Sequence, residues 1–139
     1  MTNLLIYCII VNMKTAARLQ IVTHRNTRET IETDGFIERN GSTEFGWDGD
    51  GYSMRVNLCD GCATVTRLGA DGYVMRLTEG TFTEFEAAGL RTEVYTVKLL
   101  AKVTANRTDF CATYYIGSPE NTAKIIIKVF HPVRQANLS

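Results

Sequence analysis

The stretch from Tyr52 to Gly69, YSMRVNLCDGCATVTRLG, decides the fold of this chain. Its centre is Asp60-Gly61, and both residues of an Asp-Gly pair tolerate the positive φ that a two-residue hairpin turn needs. The runs on either side alternate apolar with polar residues, which is typical of a strand with one buried face. Pairing outward from the turn sets the two flanking cysteines opposite each other and Met54 opposite Arg67. The stretch therefore predicts an antiparallel hairpin.

The same kind of turn recurs along the chain. Asp-Gly occurs five times, and Asn40-Gly41 and Glu79-Gly80 add two further turn signals. The segments between these turns are short and rich in β-branched residues, and no helical period interrupts them. A long sheet of consecutive hairpins tends to curl closed, because closure removes its exposed edges. We predict an all-β fold, a single antiparallel and mostly up-and-down β-barrel of about eight to ten strands between Ala16 and Phe130.

Alternation also predicts which side chains face the barrel interior. The Glu79-Gly80 turn is predicted to place Glu84 opposite Met75, so that a carboxylate enters the interior. A long strand follows from Leu90 to Ala105, and its lysines, at 98 and 102, are predicted to face outward. The inward residues of this strand and the next are predicted to be Tyr95, Val97, Leu99, Ala101 and Val103, then Phe110, Ala112, Tyr114 and Ile116. Gly35, inside a strand pattern, indicates a bulge or a sharp bend.

We expect three parts in the chain: an N-terminal extension over residues 1–14, the barrel domain over 15–131 and a C-terminal tail over 132–139. The extension contains Leu4 to Val11, LLIYCIIV, which is too short for a membrane helix of roughly 20 residues. No Lys or Arg precedes this stretch and no small-residue cleavage site follows it, which argues against a secretory signal. Two interpretations stay open, an extra strand and an extension outside the core fold.

Charge and cysteine content indicate the class of protein. Fifteen basic and fifteen acidic residues cancel, and no run of Lys or Arg forms a basic patch along the sequence. We therefore expect neither a nucleic acid nor a membrane as a partner, while a homodimer stays open. Four cysteines in a chain without an export signal fit the reducing cytoplasm.

Three short motifs carry a family resemblance. In chain order they are Val65-Thr66-Arg67-Leu68-Gly69, then Met75-Arg76-Leu77 with Glu79-Gly80, then Gly89-Leu90 opening a long strand. Over roughly residues 15 to 131 the chain resembles the YwiB-like family of small bacterial calycin-like (lipocalin-like) β-barrel proteins, a domain family of unknown function. The resemblance implies a barrel of about eight strands that is filled by side chains or encloses one small ligand. It implies no established activity.

Motifs that suggest a metal are incomplete. Cys59 and Cys62 form a C-x-x-C, but no second pair of that kind and no His-His pair follows, so zinc lacks two ligands. The stretch Asp48 to Gly51 resembles part of a calcium loop, yet the twelfth position counted from Asp48 is Cys59 rather than Glu. We expect two reduced thiols at a hairpin tip, a flexible turn, and no metal or cofactor.

Catalytic motifs are equally scarce. His24 and His131 lie far from each other in sequence, and neither has a Ser, Cys or carboxylate at a known catalytic spacing. The sequence contains no G-x-S-x-G, Walker loop or dinucleotide fingerprint. We predict no catalytic residue, and the scarcity of these motifs argues against an enzyme.

The most informative single residue is Arg67, because a guanidinium on an apolar face is costly unless it is paired or reaches water. We expect it within or at the mouth of the barrel, paired with a carboxylate such as Glu84 or open to an anionic ligand. The candidate ligand-binding residues are Arg67, Glu84, Met75, Tyr95 and Tyr114. The first hypothesis is a barrel that binds a small, partly apolar or anionic ligand. The alternative is a non-catalytic protein with a filled barrel that acts through its outer surface or by self-association.

Overall fold

Ten strands joined by short turns make up the fold, and the computed structural model describes residues 14–132. The strands are β1 (Thr15–His24), β2 (Arg28–Asn40), β3 (Ser42–Asp48), β4 (Tyr52–Cys59), β5 (Cys62–Gly69), β6 (Tyr73–Leu77), β7 (Phe82–Ala87), β8 (Leu90–Val103), β9 (Arg107–Ile116) and β10 (Thr122–Phe130). One turn of 3-10 helix, Pro119–Asn121, precedes β10. Residues 1–13 and 133–139, with the predictions for the N-terminal extension and the tail, lie outside the described residues.

The strands form one closed barrel in which each strand pairs antiparallel with its neighbours in sequence, and β1 pairs with β10 to close it. This confirms the predicted antiparallel up-and-down barrel, at the upper end of the expected strand number. The hairpin at Asp60-Gly61 has the predicted register, with Cys59 opposite Cys62 and Met54 opposite Arg67. Gly61 has a φ of +79°, the left-handed conformation that the turn needs.

Because the strands alternate in direction, the turns collect at two ends. One end, the mouth, carries the turns at 25–27, 49–51, 70–72, 88–89 and 117–121. At the opposite end, the base, Arg39 reaches across the barrel and its Nη2 donates to the carbonyl of Thr104 at 3.0 Å. The same Nη2 lies 2.8 Å from Nδ1 of His131. Polar contacts therefore tie the strands together at the base.

The middle and base of the barrel are filled with apolar side chains, as alternation predicts for the inner face of β9. Phe45 and Phe110 pack edge to face, with ring centroids 6.2 Å apart. The largest fully buried side chains include Phe45, Phe110, Leu19, Ile21, Met75, Leu77 and Ile127. This part of the interior resembles a packed core rather than a channel.

The predicted orientations of two candidate site residues, Glu84 and Tyr95, are wrong. The turn between β6 and β7 spans residues 78–81, and it sets Met75 opposite Phe85, one residue later than predicted. A shift of one residue turns every side chain of a strand to the other face, so Glu84 lies exposed on the outer wall.

Tyr95 faces outward because β8 contains a bulge. Its register with β9 shifts between Thr96 and Lys98, which leaves Val97 as the extra residue. Before the bulge, Val94 and Thr96 are fully buried and Tyr95 lies outside, while Leu99 points inward after it, as predicted. Val97, the extra residue of the bulge, is exposed although it was predicted to face inward. Ala101 and Val103 lie opposite the buried Phe110 and Thr108 and therefore keep the predicted face. They are nevertheless exposed, since β7 pairs with β8 only as far as Tyr95.

Gly35 marks a close backbone approach rather than a bulge. Strand β2 pairs with β1 in continuous register through this position. A Cβ atom at Gly35 would lie 2.1 Å from the carbonyl oxygen of Gly46 and 2.7 Å from Cδ1 of Leu19. Glycine is needed here because no side chain fits between β1 and β3.

Candidate ligand-binding site

A cavity of about 340 Å³ opens at the mouth of the barrel, and we call it the mouth pocket. Its polar residues come from three strands and two turns: Arg25, Arg67, Asp71, Tyr73 and Tyr114. Its apolar residues are Met75, Phe85 and Ile116. Register explains the grouping, since directly opposed residues share a face. Tyr73 is opposite Arg67, and Phe85 is opposite Met75.

The guanidinium of Arg67 is held in place on two sides. Its Nε–H donates to the carbonyl of Ala70 at 2.7 Å, and its Cζ lies 4.1 Å from the centroid of the Tyr52 ring. Within residues 14–132, no carboxylate forms an ion pair with it. The contacts orient the charge, and they leave its two terminal nitrogens free of a protein anion among those residues.

Two tyrosines give the pocket neutral phenol groups. Burial raises the pKa of Tyr73, and the nearby Tyr114 raises it further, while the charges of Arg67 and Arg25 act against this shift. Burial also raises the pKa of Tyr114, against the opposing charge of Arg25. The ring of Tyr73 stacks on that of Phe85, with centroids 5.4 Å apart. Both phenols therefore stay protonated at neutral pH and keep O–H groups that can donate hydrogen bonds.

Asp71 moderates the charge of the mouth pocket. It lies in the turn between β5 and β6 with a φ of +56°, a conformation that Asp tolerates better than most residues. Two guanidinium groups and one carboxylate line the pocket, which gives one net positive charge. Such a pocket suits a ligand with a single negative charge and an apolar body.

The structure brings together three of the five residues that the sequence singled out. Arg67, Met75 and Tyr114 line the mouth pocket, and their ligand-binding role stays a prediction. Glu84 and Tyr95 lie on the outer wall, opposite Glu93 and Phe82 respectively.

Sequence reasoning missed several pocket residues. Arg25 and Asp71 lie in turns, where alternation carries no information about side-chain direction. The predicted pairing of Glu84 with Met75 leaves Phe85 on the outer face, whereas the observed register sets Phe85 opposite Met75. Tyr73 is different, because alternation predicts its inward face: it precedes Met75 by two residues. No pattern in the sequence indicated that it joins the candidate site.

The remaining candidate motifs do not gather into a metal site. Among residues 14–132, no group of three or more His, Cys, Asp and Glu side chains could hold a metal ion. Cys59, Cys62 and Cys111 are free thiols. Asp48, from the calcium-like stretch, accepts a hydrogen bond of 2.7 Å from the hydroxyl of Ser53.

The two histidines differ in their surroundings. His24 is exposed on the outer wall. His131 lies at the base, where its Nε2 is 2.8 Å from the hydroxyl of Thr108 and its Nδ1 is 2.8 Å from Nη2 of Arg39. Burial lowers the pKa of His131, the charge of Arg39 lowers it further, and the carbonyl of Ala105 acts against both.

Comparison with known proteins shows the fold alone. No protein-family model matches the chain, and no curated protein matches it. A crystal structure of the ywiB protein from Bacillus subtilis superposes with a TM-score of 0.65 at 16% sequence identity, covering 88% of this chain and 94% of that one. The chain therefore has a YwiB-like fold. In the part of the chain that the structure describes, no helix is long and apolar enough to cross a membrane.

Proposed function

We propose that the barrel binds a small, partly apolar molecule with one negative charge in the mouth pocket. The observation that carries this proposal is Arg67, whose guanidinium is oriented by Ala70 and Tyr52 without a carboxylate partner among residues 14–132. A charge in a partly buried position is costly unless an anion or water compensates it. A ligand carboxylate would accept hydrogen bonds from both terminal nitrogens of Arg67, in the bidentate geometry that Arg favours.

The remaining lining supports an aromatic or aliphatic ligand body. Phe85, Met75 and Ile116 supply apolar surface, and Tyr73 and Tyr114 supply neutral hydroxyl groups. The volume of about 340 Å³ lies at the small end of the range for small-molecule sites. A large hydrophobic ligand is disfavoured, because the interior below the pocket is filled.

We also propose that the protein is a distant bacterial member of the calycin-like YwiB group and works in the cytoplasm. The YwiB-like fold supports the first statement and the free thiols of Cys59, Cys62 and Cys111 are compatible with the second. Fold analogy supports no particular ligand, because one fold serves many functions.

A matched pair of probes tests the ligand proposal. Thermal denaturation with benzoate and with its neutral counterpart benzamide should show an increase in Tm for benzoate alone. Binding to the folded state at about 100 times Kd stabilises by about 2.7 kcal/mol, which is several degrees for a domain of this size. Arg67→Met should abolish the increase, while Arg76→Met, an exposed arginine outside the pocket, should keep it.

The test also separates the alternative function. If a panel of aromatic and aliphatic carboxylates shifts neither the wild type nor Arg76→Met, the mouth pocket is not an anion site. The alternative, a filled barrel that acts through its outer surface, is favoured by the packed interior around Phe45 and Phe110.

A further inference from the structure

Four cationic or titratable side chains form a line across the outer wall of the barrel, and we call them the cation row. Lys98 of β8 is opposite Thr113 of β9, and Thr113 is opposite Lys124 of β10. Lys124 is in turn opposite His24 of β1, which is opposite Arg28 of β2. Directly opposed residues share a face, so Lys98, Lys124, His24 and Arg28 all lie on the outer wall, and all four are exposed.

The cation row borders a shallow groove with an apolar floor. The groove has a volume of about 280 Å³ and is lined by Val22, His24, Arg28, Lys124 and Ile126. None of the four members of the row forms an ion pair with another described residue. The charges of Lys98, Lys124 and Arg28 are therefore open to an external anion. Strands are about 4.8 Å apart, so the row is on the order of 19 Å long.

An aromatic cluster with one exposed and two half-buried rings lies beside the cation row on the mouth side, and we call it the aromatic platform. It consists of Phe82, Tyr95 and Tyr115, whose side chains project from β7, β8 and β9. Tyr115 is two residues from Thr113 and therefore on the same face, next to the row. Tyr95 and Tyr115 stack with centroids 5.3 Å apart, and Phe82 is 4.8 Å from Tyr95. Phe82 remains 54% exposed, which a role in packing alone does not explain.

Acidic side chains border the platform on its other side. Glu84 and Glu93 are directly opposite each other on the outer faces of β7 and β8. Like charges in this arrangement destabilise a sheet slightly, and they repel anions. A polyanion on this wall would be repelled from the acidic border and attracted to the cation row, with the platform between them.

We propose that this outer wall binds single-stranded nucleic acid. The phosphate backbone lies along the cation row and groove, and the bases stack on Tyr95, Tyr115 and Phe82. Basic tracks beside exposed aromatic rings are the combination that single-strand binding proteins use, since every base offers a flat face for stacking. The surface fits a partner of this chemistry better than a bilayer, which has no bases to stack on three aromatic rings.

The positions of the cation row along the chain also explain why the sequence predicts no nucleic-acid partner. That prediction rests on the absence of a run of Lys or Arg. The row is drawn from four different strands, at positions 24, 28, 98 and 124, and only barrel closure aligns them. A neutral total charge therefore coexists with a local basic line.

Fluorescence anisotropy with labelled oligouridylate and oligothymidylate tests the proposal. Binding of at least one of the two is expected at low salt, and a preference for uridylate would identify RNA. If Lys98, Lys124 and Arg28 each contact a phosphate, the logarithm of the binding constant should fall with the logarithm of the salt concentration at a slope of about −2. Tyr95→Ala should weaken binding about fivefold or more. Tyr95→Phe keeps the aromatic ring and should retain binding, which serves as the control for a folding defect.

A matched charge variant provides the control. Lys124→Glu and Arg76→Glu change the net charge equally, and both side chains are exposed without an ion pair to a described residue. Lys124→Glu should weaken binding about tenfold, and Arg76→Glu, on β6 outside the row, less than twofold. Equal losses in the two variants, or no loss in Tyr95→Ala, would overturn the proposal. So would tight binding to phosphatidylserine vesicles with none to either oligonucleotide, which would assign the wall to membranes.

Discussion

The guanidinium of Arg67 lies over the ring of Tyr52, with Cζ 4.1 Å from the ring centroid. This contact and the Nε–H hydrogen bond to Ala70 take the place of the ion pair with Glu84, which is one of the two alternatives that the sequence leaves open. Glu84, the expected partner, faces the other side of the sheet. Arg67 is therefore oriented by a neutral ring and a carbonyl, and its charge remains open at the mouth of the barrel.

This geometry predicts a moderate stability loss for Arg67→Ala. A partly exposed cation–π contact contributes about 0.5–1 kcal/mol, and a hydrogen bond contributes about the same or slightly more. We expect Arg67→Ala to lower the free energy of unfolding by about 1–2 kcal/mol, and Arg67→Met by less, since Met refills the volume. Urea denaturation measures both. A loss of about 3–5 kcal/mol in Arg67→Ala would reveal a buried ion pair instead.

The two pocket tyrosines predict a loss of stability at high pH. Their pKa values are raised above the ordinary value of 10.0, so the folded state holds protons that the unfolded state releases. Their contribution is complete below about pH 10 and is lost as the pH rises through the folded-state pKa values. We expect Tm to fall above about pH 10, and to fall less steeply in the Tyr73→Phe, Tyr114→Phe double variant. Identical pH profiles would contradict the burial of both phenols.

His131 predicts a separate loss of stability on the acid side. Its pKa is lowered from 6.5, so the unfolded state binds a proton more readily than the folded state does. The contribution of His131 to stability is complete above about pH 6.5 and decreases as the pH falls toward its folded-state pKa. His131→Gln should remove this part of the pH dependence of Tm, while the exposed His24→Gln should leave it unchanged. NMR titration of the His131 imidazole should give a pKa below 6.5.

Two fully buried threonines predict opposite effects of the same substitution. The hydroxyl of Thr96 has no hydrogen-bond partner among the described residues, whereas the hydroxyl of Thr108 lies 2.8 Å from Nε2 of His131. Thr96→Val removes an unpaired polar group and should stabilise the fold by on the order of 1 kcal/mol. Thr108→Val should destabilise by about 1–3 kcal/mol, because it leaves the imidazole nitrogen without this partner. Equal losses in chemical denaturation would contradict the assignment.

The sequence alone determined the barrel architecture and the residue-by-residue pairing of one hairpin. Asp60-Gly61 admits only a short turn, and a two-residue turn fixes every pair along the strands it joins, down to Met54 and Arg67. The same local chemistry was sufficient to predict the alternation in β9, with Phe110 and Ala112 inside. Local rules succeed here because turn geometry and side-chain alternation act over neighbouring residues.

The place where the candidate site residues meet depends on the tertiary structure. A longer turn before β7 and a bulge at Val97 each shift the register by one residue, and each shift turns Glu84 or Tyr95 outward. Turn residues such as Arg25 and Asp71 join the mouth pocket through closure of the barrel, which no local pattern encodes. The cation row likewise exists only because pairing of β1 with β10 brings His24 beside Lys124, a hundred positions apart in the sequence. Charge and alternation along a chain describe single strands, and adjacency between strands is set by the closed sheet.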